Sequence, residues 1–374
     1  MLAGLALAVW IYLLAGRGGF WRTHERDEGA QSPSPAAWPS VAVVVPARNE
    51  ADVVGRAIAS LLAQDYSGGF TIVLVDDGSE DGTGDLARAL NGDGRLRVVD
   101  GAPPPAGWTG KPWAMQQGVA AAGEADWLWL TDADIAHDPD NLTGLIARAE
   151  AERLAMISQM AKLSVETWPE KLLIPAFVFF FAMLYPFAWV NDPRRRTAAA
   201  AGGCVLVRRE ALALAGGVEA IRGALIDDCA LAARIKAVGS IRLELTDRAR
   251  SLRPYARFGA IAAMVSRSAY AQLRYSPWLL IGTVVGMGIV YLAAPLLAVF
   301  GHGAARWLGA AAWLAMAAAY QPMLRFYRLP SLYAVALPAI GAIYTGFTVL
   351  SAAQASRGRG GLWKGRVQAM TAPR

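Results

Sequence analysis

Hydrophobic and polar positions divide the chain into stretches of different character. Residues 1–16 hold no formal side-chain charge, and Arg17 and Arg22 follow. That run falls short of the roughly 20 residues a helix needs to cross a bilayer, unless it continues through Phe20 and Trp21. A removable signal would show a basic start and a small-residue cleavage site, and neither is present. Residues 1–21 therefore read as an uncleaved membrane anchor, and 22–39, rich in Ser, Pro and charge, as a linker. From residue 40 the pattern is that of a soluble α/β domain. Val41-Ala42-Val43-Val44-Val45 is a β-branched run closed by Pro46, as expected of a strand buried on both faces. Apolar residues at helical spacing (Val54, Ile58, Leu61, Leu62) predict a helix over 51–64. Further strands are expected at 71–75, 95–99 and 127–130, with helices at 84–90 and 112–122 between them. This alternation predicts a mostly parallel sheet flanked by helices, with ligands at the carboxyl ends of the strands.

The last quarter changes again. No formal charge occurs between Arg274 and Arg306, between Arg306 and Arg325, or between Arg328 and Arg357. Each gap is long enough to hold a spanning helix. Spans are expected near 278–300, 307–320 with its flanks, and 332–353, with Trp278, Trp307, Tyr320 and Tyr333 near their ends as interfacial aromatics. These make 276–355 a transmembrane region and 356–374 a basic tail. A further apolar run, 172–190, lies inside the α/β region. A crossing there would put the polar clusters before and after it on opposite sides of a membrane. It is therefore read as an interfacial or buried segment, its Pro175, Pro186 and row of Phe177, Phe179, Phe180 and Phe181 suiting a membrane surface.

Composition agrees with this division. Of 374 residues 55% are hydrophobic and only 18% charged, which excludes a disordered chain. Lys and Arg outnumber Asp and Glu by 36 to 30, a net charge of +6. In so apolar a chain this excess points to anionic lipid headgroups, the simplest role for Arg194-Arg195-Arg196, rather than to nucleic acid. Cys204 and Cys229 make no disulfide framework and read as packing residues. His24, His137 and His302 lie too far apart in sequence for a histidine-built metal centre, and His137 reads as structural or solvated.

Four polar clusters carry candidate chemistry. Pro46-Ala47-Arg48-Asn49-Glu50 and Val75-Asp76-Asp77-Gly78-Ser79 each follow a predicted strand. In the second, Gly lets the chain turn and keeps both acids near solvent, where they can accept hydrogen bonds from a base N–H and ribose hydroxyls, or cap a helix. Thr131-Asp132-Ala133-Asp134 follows the apolar Trp127-Leu128-Trp129-Leu130. Two carboxylates so spaced at a strand end can face one hard cation, Mg²⁺ or Mn²⁺, which prefers oxygen ligands and binds through carboxylates together with substrate phosphates. The fourth, Ile226-Asp227-Asp228-Cys229, opens a predicted helix; it either caps that helix or holds a general base. Gly202-Gly203 upstream leaves room for a close ligand. Gly107-Trp108-Thr109-Gly110-Lys111 is too short for a phosphate-binding Walker loop, yet Lys111 can still meet a phosphate as a point charge.

Together the clusters resemble glycosyltransferase family 2, which has the GT-A nucleotide-diphospho-sugar transferase fold. The resemblance covers about 40–275. Within that family the chain is most similar to the hopanoid-associated membrane glycosyltransferases of bacteria, through Gly18-Gly19-Phe20-Trp21, Gly107-Trp108-Thr109-Gly110-Lys111-Pro112-Trp113 and Ile226-Asp227-Asp228-Cys229. It implies that Pro46, Arg48 and Glu50 border the nucleotide, that Asp76 and Asp77 bind its base and ribose, and that Lys111 lies near the diphosphate. Asp132 and Asp134 correspond to the metal-binding DxD motif. Asp228 occupies the position of the catalytic Asp in the family's Glu-Asp pair, with Asp227 in place of the Glu. Gly202 and Gly203 lie on the acceptor side. Arg274 and Tyr275 fall where the family has an Arg-Trp pair beside the membrane; Tyr in place of Trp weakens the case for processive synthesis.

The expected activity is inverting, divalent-cation-dependent transfer of a sugar from a nucleotide-diphosphate donor to a membrane lipid, hopanoid in the first instance. The expected location is the bacterial inner membrane, multi-pass, with the catalytic domain cytoplasmic. A processive polysaccharide synthase, a carotenoid or sphingolipid glycosyltransferase, and a non-catalytic nucleotide-sugar-binding scaffold are the alternatives.

Overall fold

The structure, a computed structural model, describes residues 1–27, 32–358, 361–363 and 366–367. The chain divides into two compact units, neither continuous in sequence. One, helical, comprises Met1–His24, Val165–Ala188 and Tyr255–Gly361; the other is built chiefly from Glu25–Ser164 and Trp189–Pro254.

The main sheet of the second unit is built from eight strands: β1 (Val41–Ala47), β2 (Phe70–Asp76), β3 (Leu96–Asp100), β4 (Trp127–Thr131), β5 (Ile135–His137), β6 (Met156–Lys162), β7 (Cys204–Arg208) and β8 (Ile241–Ser251). They form one sheet of order β3-β2-β1-β4-β7-β6-β8-β5. β1 pairs parallel with β2 and β4, and β2 parallel with β3, as the βαβ alternation predicts. Beyond β4 the expectation of a mostly parallel sheet fails. β7 runs antiparallel to both β4 and β6, and β5 antiparallel to β8, while β6 and β8 are parallel. β7 follows the excursion of Val165–Ala188 into the other unit rather than a crossover helix on the sheet, and without such a crossover parallel pairing is not imposed.

All seven residues of β1 are buried. Pro46 does not close the strand but lies within it, and alternation explains why it is tolerated. The N–H of Val41 donates toward β2, to Gly69, so even-numbered residues face β4. The β4 ladder ends at Val44, which leaves Pro46 with no bond to lose. Val54, Ile58 and Leu61 of the helix Ala51–Leu62 pack into one core with Val43, Val45, Ile72, Leu74, Trp127 and Trp129. Each such side chain contributes about 1.5–3 kcal/mol when fully buried. Gly118 of the helix Gly110–Ala121 faces Val44 and Val75, and a methyl group there would overlap Val44. That close approach fixes the start of the helix, and hence Lys111, at the carboxyl ends of the strands. Part of the expected linker is built into this unit: Leu245 of β8 donates its N–H to the carbonyl of Glu25 and accepts from Asp27, at 2.8 and 3.1 Å.

Among the described residues of the helical unit, two helices are long and apolar enough to cross a membrane, Pro277–Phe300 and Ser331–Ser356. The other expected crossings are not of this kind. The first helix, Leu2–Gly16, has 15 residues, about 22 Å of rise against a hydrocarbon core of about 30 Å. It does not continue through Phe20, because Gly18 and Gly19 take φ of 61° and 60° and turn the chain. Ala304–Phe326 has 23 residues but is rich in small residues, and Tyr320, Gln321 and Pro322 dilute its apolar run. The segment read as interfacial or buried forms the helix Trp168–Leu184, whose Leu173, Ile174, Ala176, Val178 and Phe179 are buried. Phe179 meets Tyr320, Phe180 meets Tyr344, and the Tyr344 hydroxyl donates to the carbonyl of Leu173 at 2.8 Å. Arg359, Lys364 and Arg374 of the basic tail lie outside the described residues.

Candidate active site

The parallel half of the sheet brings the ends of β1, β2 and β4 to one edge. Ala47 is level with Asp76, and Asp77 donates its N–H to the Ala47 carbonyl at 2.8 Å. Asn49 (φ 50°) takes a left-handed turn that Asn tolerates, and its side-chain oxygen accepts the N–H of Glu80 at 2.9 Å. Arg48 lies across the second loop. Its guanidinium donates to the carbonyls of Asp77 and Gly78 and stands 3.9 Å from the Asp77 carboxylate. Asp77 is only 1% exposed, so the expectation that both acids stay near solvent holds for Asp76 alone. The chain does turn at Gly78 (φ 65°), but Arg48 covers Asp77.

The remaining acids converge on one ammonium. Lys111 Nζ lies 2.7 Å from Asp132 Oδ1 and 3.6 Å from Asp227 Oδ2. Asp227 and Asp228 open the helix Asp227–Lys236. Asp228 is held by two backbone donors, Gly202 N–H to Oδ2 at 2.9 Å and Cys229 N–H to Oδ1 at 2.7 Å. A Cβ at Gly202 would stand 3.1 Å from Lys111 Nζ and 3.4 Å from Asp228 Oδ2, so glycine there keeps the approach open. Lys111 itself starts its helix from Thr109, whose N–H and hydroxyl both donate to the Arg222 carbonyl at 2.8 and 3.1 Å. Asp134, two residues after Asp132, is tied to the β1 loop through Arg253, whose Nε donates to it at 3.0 Å while Nη2 pairs with Glu50. Glu50 follows Arg48 on the β1 loop, so all four clusters are joined within this unit.

Burial and charge shape the acidity of these groups. Burial pushes the Asp228 carboxyl up to about 6, aided by the Asp227 carboxylate and opposed by Lys111 and the two backbone donors. Asp132 is raised by burial, with Lys111 pulling against it and Asp134 adding to it. Burial alone would drive Lys111 toward neutrality; the carboxylates of Asp132, Asp227 and Asp228 outweigh it and hold the ammonium charged. Asp132 and Asp134, partly accessible, offer only hard oxygen donors, and each already draws a cationic partner, so their chemistry fits a divalent cation. No group of three or more His, Cys, Asp or Glu able to hold a metal occurs among the described residues. Such an ion would need further oxygen ligands from substrate phosphates or water.

Arg253 escaped the reading of the sequence, since nothing local distinguishes it and its partner Glu50 lies 203 positions away. Arg274 and Tyr275 belong to the helical unit, consecutive residues in the left-handed region at φ 51° and 55°. Pro46 sits in β1, two residues before Arg48. His137 is buried rather than solvated, with Thr131 and Asn141 as partners.

Residues 42–214 match the glycosyl transferase family 2 domain. Among curated proteins, an N-acetylglucosaminyltransferase of Mesorhizobium japonicum is 30% identical over 195 residues, 48% of this chain and 42% of that protein. The succinoglycan biosynthesis protein ExoO of Rhizobium meliloti is 39% identical over 117 residues, 30% of each. The chain thus spans less than half the length of these relatives. Among solved structures, the mannosyltransferase PcManGT of Pyrobaculum calidifontis, in complex with GDP-Man and Mn²⁺, superposes with a TM-score of 0.52 at 20% identity, covering 93% of this chain and 98% of that one. Residues 42–214 are thus similar to the glycosyl transferase family 2 domain, and the α/β unit has the GT-A type of fold, its sheet mixed.

Proposed function

We propose that this glycosyltransferase family 2 domain transfers a sugar, with inversion, from a nucleotide-diphosphate donor to a hydroxyl of a membrane lipid, and that Asp228 is the general base. The observation that carries the reading is the convergence of Asp132, Asp227 and Asp228 on Lys111, with Asp228 fixed by the backbone N–H of Gly202. Asp76 and Asp77 would meet the base and ribose of the nucleotide, with Arg48, Pro46 and Glu50 at its border. Asp132 and Asp134 would hold a divalent cation, Mn²⁺ or Mg²⁺. When bound, that ion supplies positive charge to the diphosphate as it leaves. Lys111, already charged and buried, adds a fixed cation on the same side.

In this reading the Asp228 carboxylate takes the proton of the acceptor hydroxyl as its oxygen bonds to the anomeric carbon. The bond from that carbon to the diphosphate oxygen breaks on the opposite face. An alcohol proton is too weakly acidic to leave unaided near neutrality, so the base must act in step with bond formation. A lipid acceptor, hopanoid in the first instance, is supported by the two helices able to cross a membrane and by the motifs shared with hopanoid-associated enzymes. The same features favour a multi-pass protein of the bacterial cytoplasmic membrane with its catalytic unit inside, and Arg274 and Tyr275 on the acceptor side. A second reading, assembly of a polysaccharide, is favoured by the match to a succinoglycan biosynthesis protein.

Membranes containing the chain, given labelled UDP-N-acetylglucosamine or GDP-mannose with Mn²⁺ or Mg²⁺, should place label in the lipid extract as a single sugar. Label in a long, water-soluble polymer would favour the second reading. Asp228→Asn should lower turnover about 10²–10⁴-fold with little change in donor binding. Near-native turnover in that variant would refute the assignment of the base.

A further inference from the structure

Behind the acids runs a line of hydrogen bonds with a single allowed direction. Thr131 Oγ1 lies 2.8 Å from the carbonyl of Gly203 and 2.9 Å from Nε2 of His137, and Nδ1 of His137 lies 3.0 Å from Nδ2 of Asn141. A carbonyl only accepts, so the one hydroxyl proton of Thr131 goes to Gly203 and Thr131 must accept from His137. His137 then carries its proton on Nε2, and its bare Nδ1 accepts from Asn141. The opposite direction would give the buried, unpartnered Oδ1 of Asn141 a donor, but it would leave Thr131 two acceptors to serve with one proton. All three side chains are buried, at 2%, 4% and 1% exposure for Thr131, His137 and Asn141. The Trp129 ring packs on the imidazole with centroids 4.5 Å apart, and burial lowers the His137 pKa to about 3, so the ring stays neutral.

The far end of this line reaches the proposed base. Gly203 belongs to the turn closed by Cys204 N–H to the Ala201 carbonyl at 3.2 Å, and Ala201 is tied to the Ser158 hydroxyl at 2.9 Å. Gly202, inside that turn, supplies the N–H that holds Asp228 Oδ2. Thr131 also precedes Asp132, so one hydroxyl joins the strand that carries the paired acids to the turn that orients the base. We propose that His137, as its Nε2–H tautomer, is a positioning residue for sugar transfer: through Thr131 and the Gly203 carbonyl it fixes the turn whose Gly202 N–H aims the Asp228 carboxylate. The inference rests on the reading of Asp228 as general base.

Two measurements on the full chain in nanodiscs test it. With ¹⁵N-labelled histidine there are three imidazoles to assign, and His137 should show Nε2 protonated and Nδ1 bare at every pH from about 5 to 8. A protonated Nδ1 with a bare Nε2 would overturn the proposal, and this arm needs no variant. Turnover is then measured with whichever of the two labelled donors the wild type consumes. Thr131→Val and His137→Phe should each lower kcat about 10–100-fold with the donor KM within about twofold. Thr131→Ser, which keeps the hydroxyl, and His137→Gln, whose amide can donate to Thr131, should recover much of the loss. Folded Thr131→Val or His137→Phe with kcat within about twofold of wild type would overturn the proposal. If Asp228→Asn is inactive in that case, the relay alone is wrong. If Asp228→Asn is also near native, the assignment of the base has failed.

Discussion

Lys111 faces Asp132, Asp227 and Asp228 in a site only partly open to water, so a proton on any of these groups is felt by the others. The proposed base, Asp228, works only when deprotonated. With Asp228 raised to about 6, kcat should fall as pH drops through that region and level off above it. Lys111 opposes the rise, so removing its charge must push the Asp228 pKa further up. In Lys111→Met the acid limb of the kcat–pH profile should therefore move upward by about one unit or more. A limb that stays in place or moves down would show that the ammonium does not act on the base. Burial, modulated by the charges of Asp227 and Lys111, sets this behaviour, and neither could be read from Asp-Asp or Asp-x-Asp spacing.

The helices show how a local sequence rule and a distant partner combine. Pro295 lies in the long apolar helix Pro277–Phe300, just after the π-helical turn Gly288–Leu292. A proline ring crowds the carbonyl four residues back, here Tyr291, and has no N–H to donate, so the helix widens at that point. The carbonyl of Val290 is met instead by the indole N–H of Trp10 at 2.8 Å, 280 positions earlier, and Trp10 packs edge-on against Tyr291. In apolar surroundings a bare carbonyl costs about 1–3 kcal/mol. Trp10→Phe keeps the ring and removes the donor, so it should lower stability by about that amount, read as a lower melting temperature in detergent. The charge-free gap that holds this helix was legible in the sequence; the break at Pro295 was not read there. Nor was the partner that mends the break, because Trp10 reads locally as one more apolar residue of an anchor. β1 gave a similar lesson, since Pro46 looked like the end of a strand and is an interior residue on the side where pairing has ceased.

Across the whole molecule, the motifs that could be read are those in which a buried strand runs straight into polar residues, since both signals lie within a few positions. Asp76, Asp77, Asp132 and Asp134 were found that way. The antiparallel half of the sheet was not, because burial along β6, β7 and β8 carries no mark of direction. Arg253 joins Glu50 to Asp134 only once β8 has returned beside β5. The interleaving of the two units has a consequence for biogenesis. β7 lies between β4 and β6, yet Val165–Ala188 is synthesised before it. Until residues 204–208 leave the ribosome, β4 has β1 on one side and an open edge on the other, a state prone to wrong pairing. A chain ending at Ser164 should therefore lack a cooperative urea transition and aggregate, although it carries six of the eight strands. A cell making this protein must shelter a half-built sheet until the later strand arrives, and a catalytic piece cannot be trimmed free at a single cut.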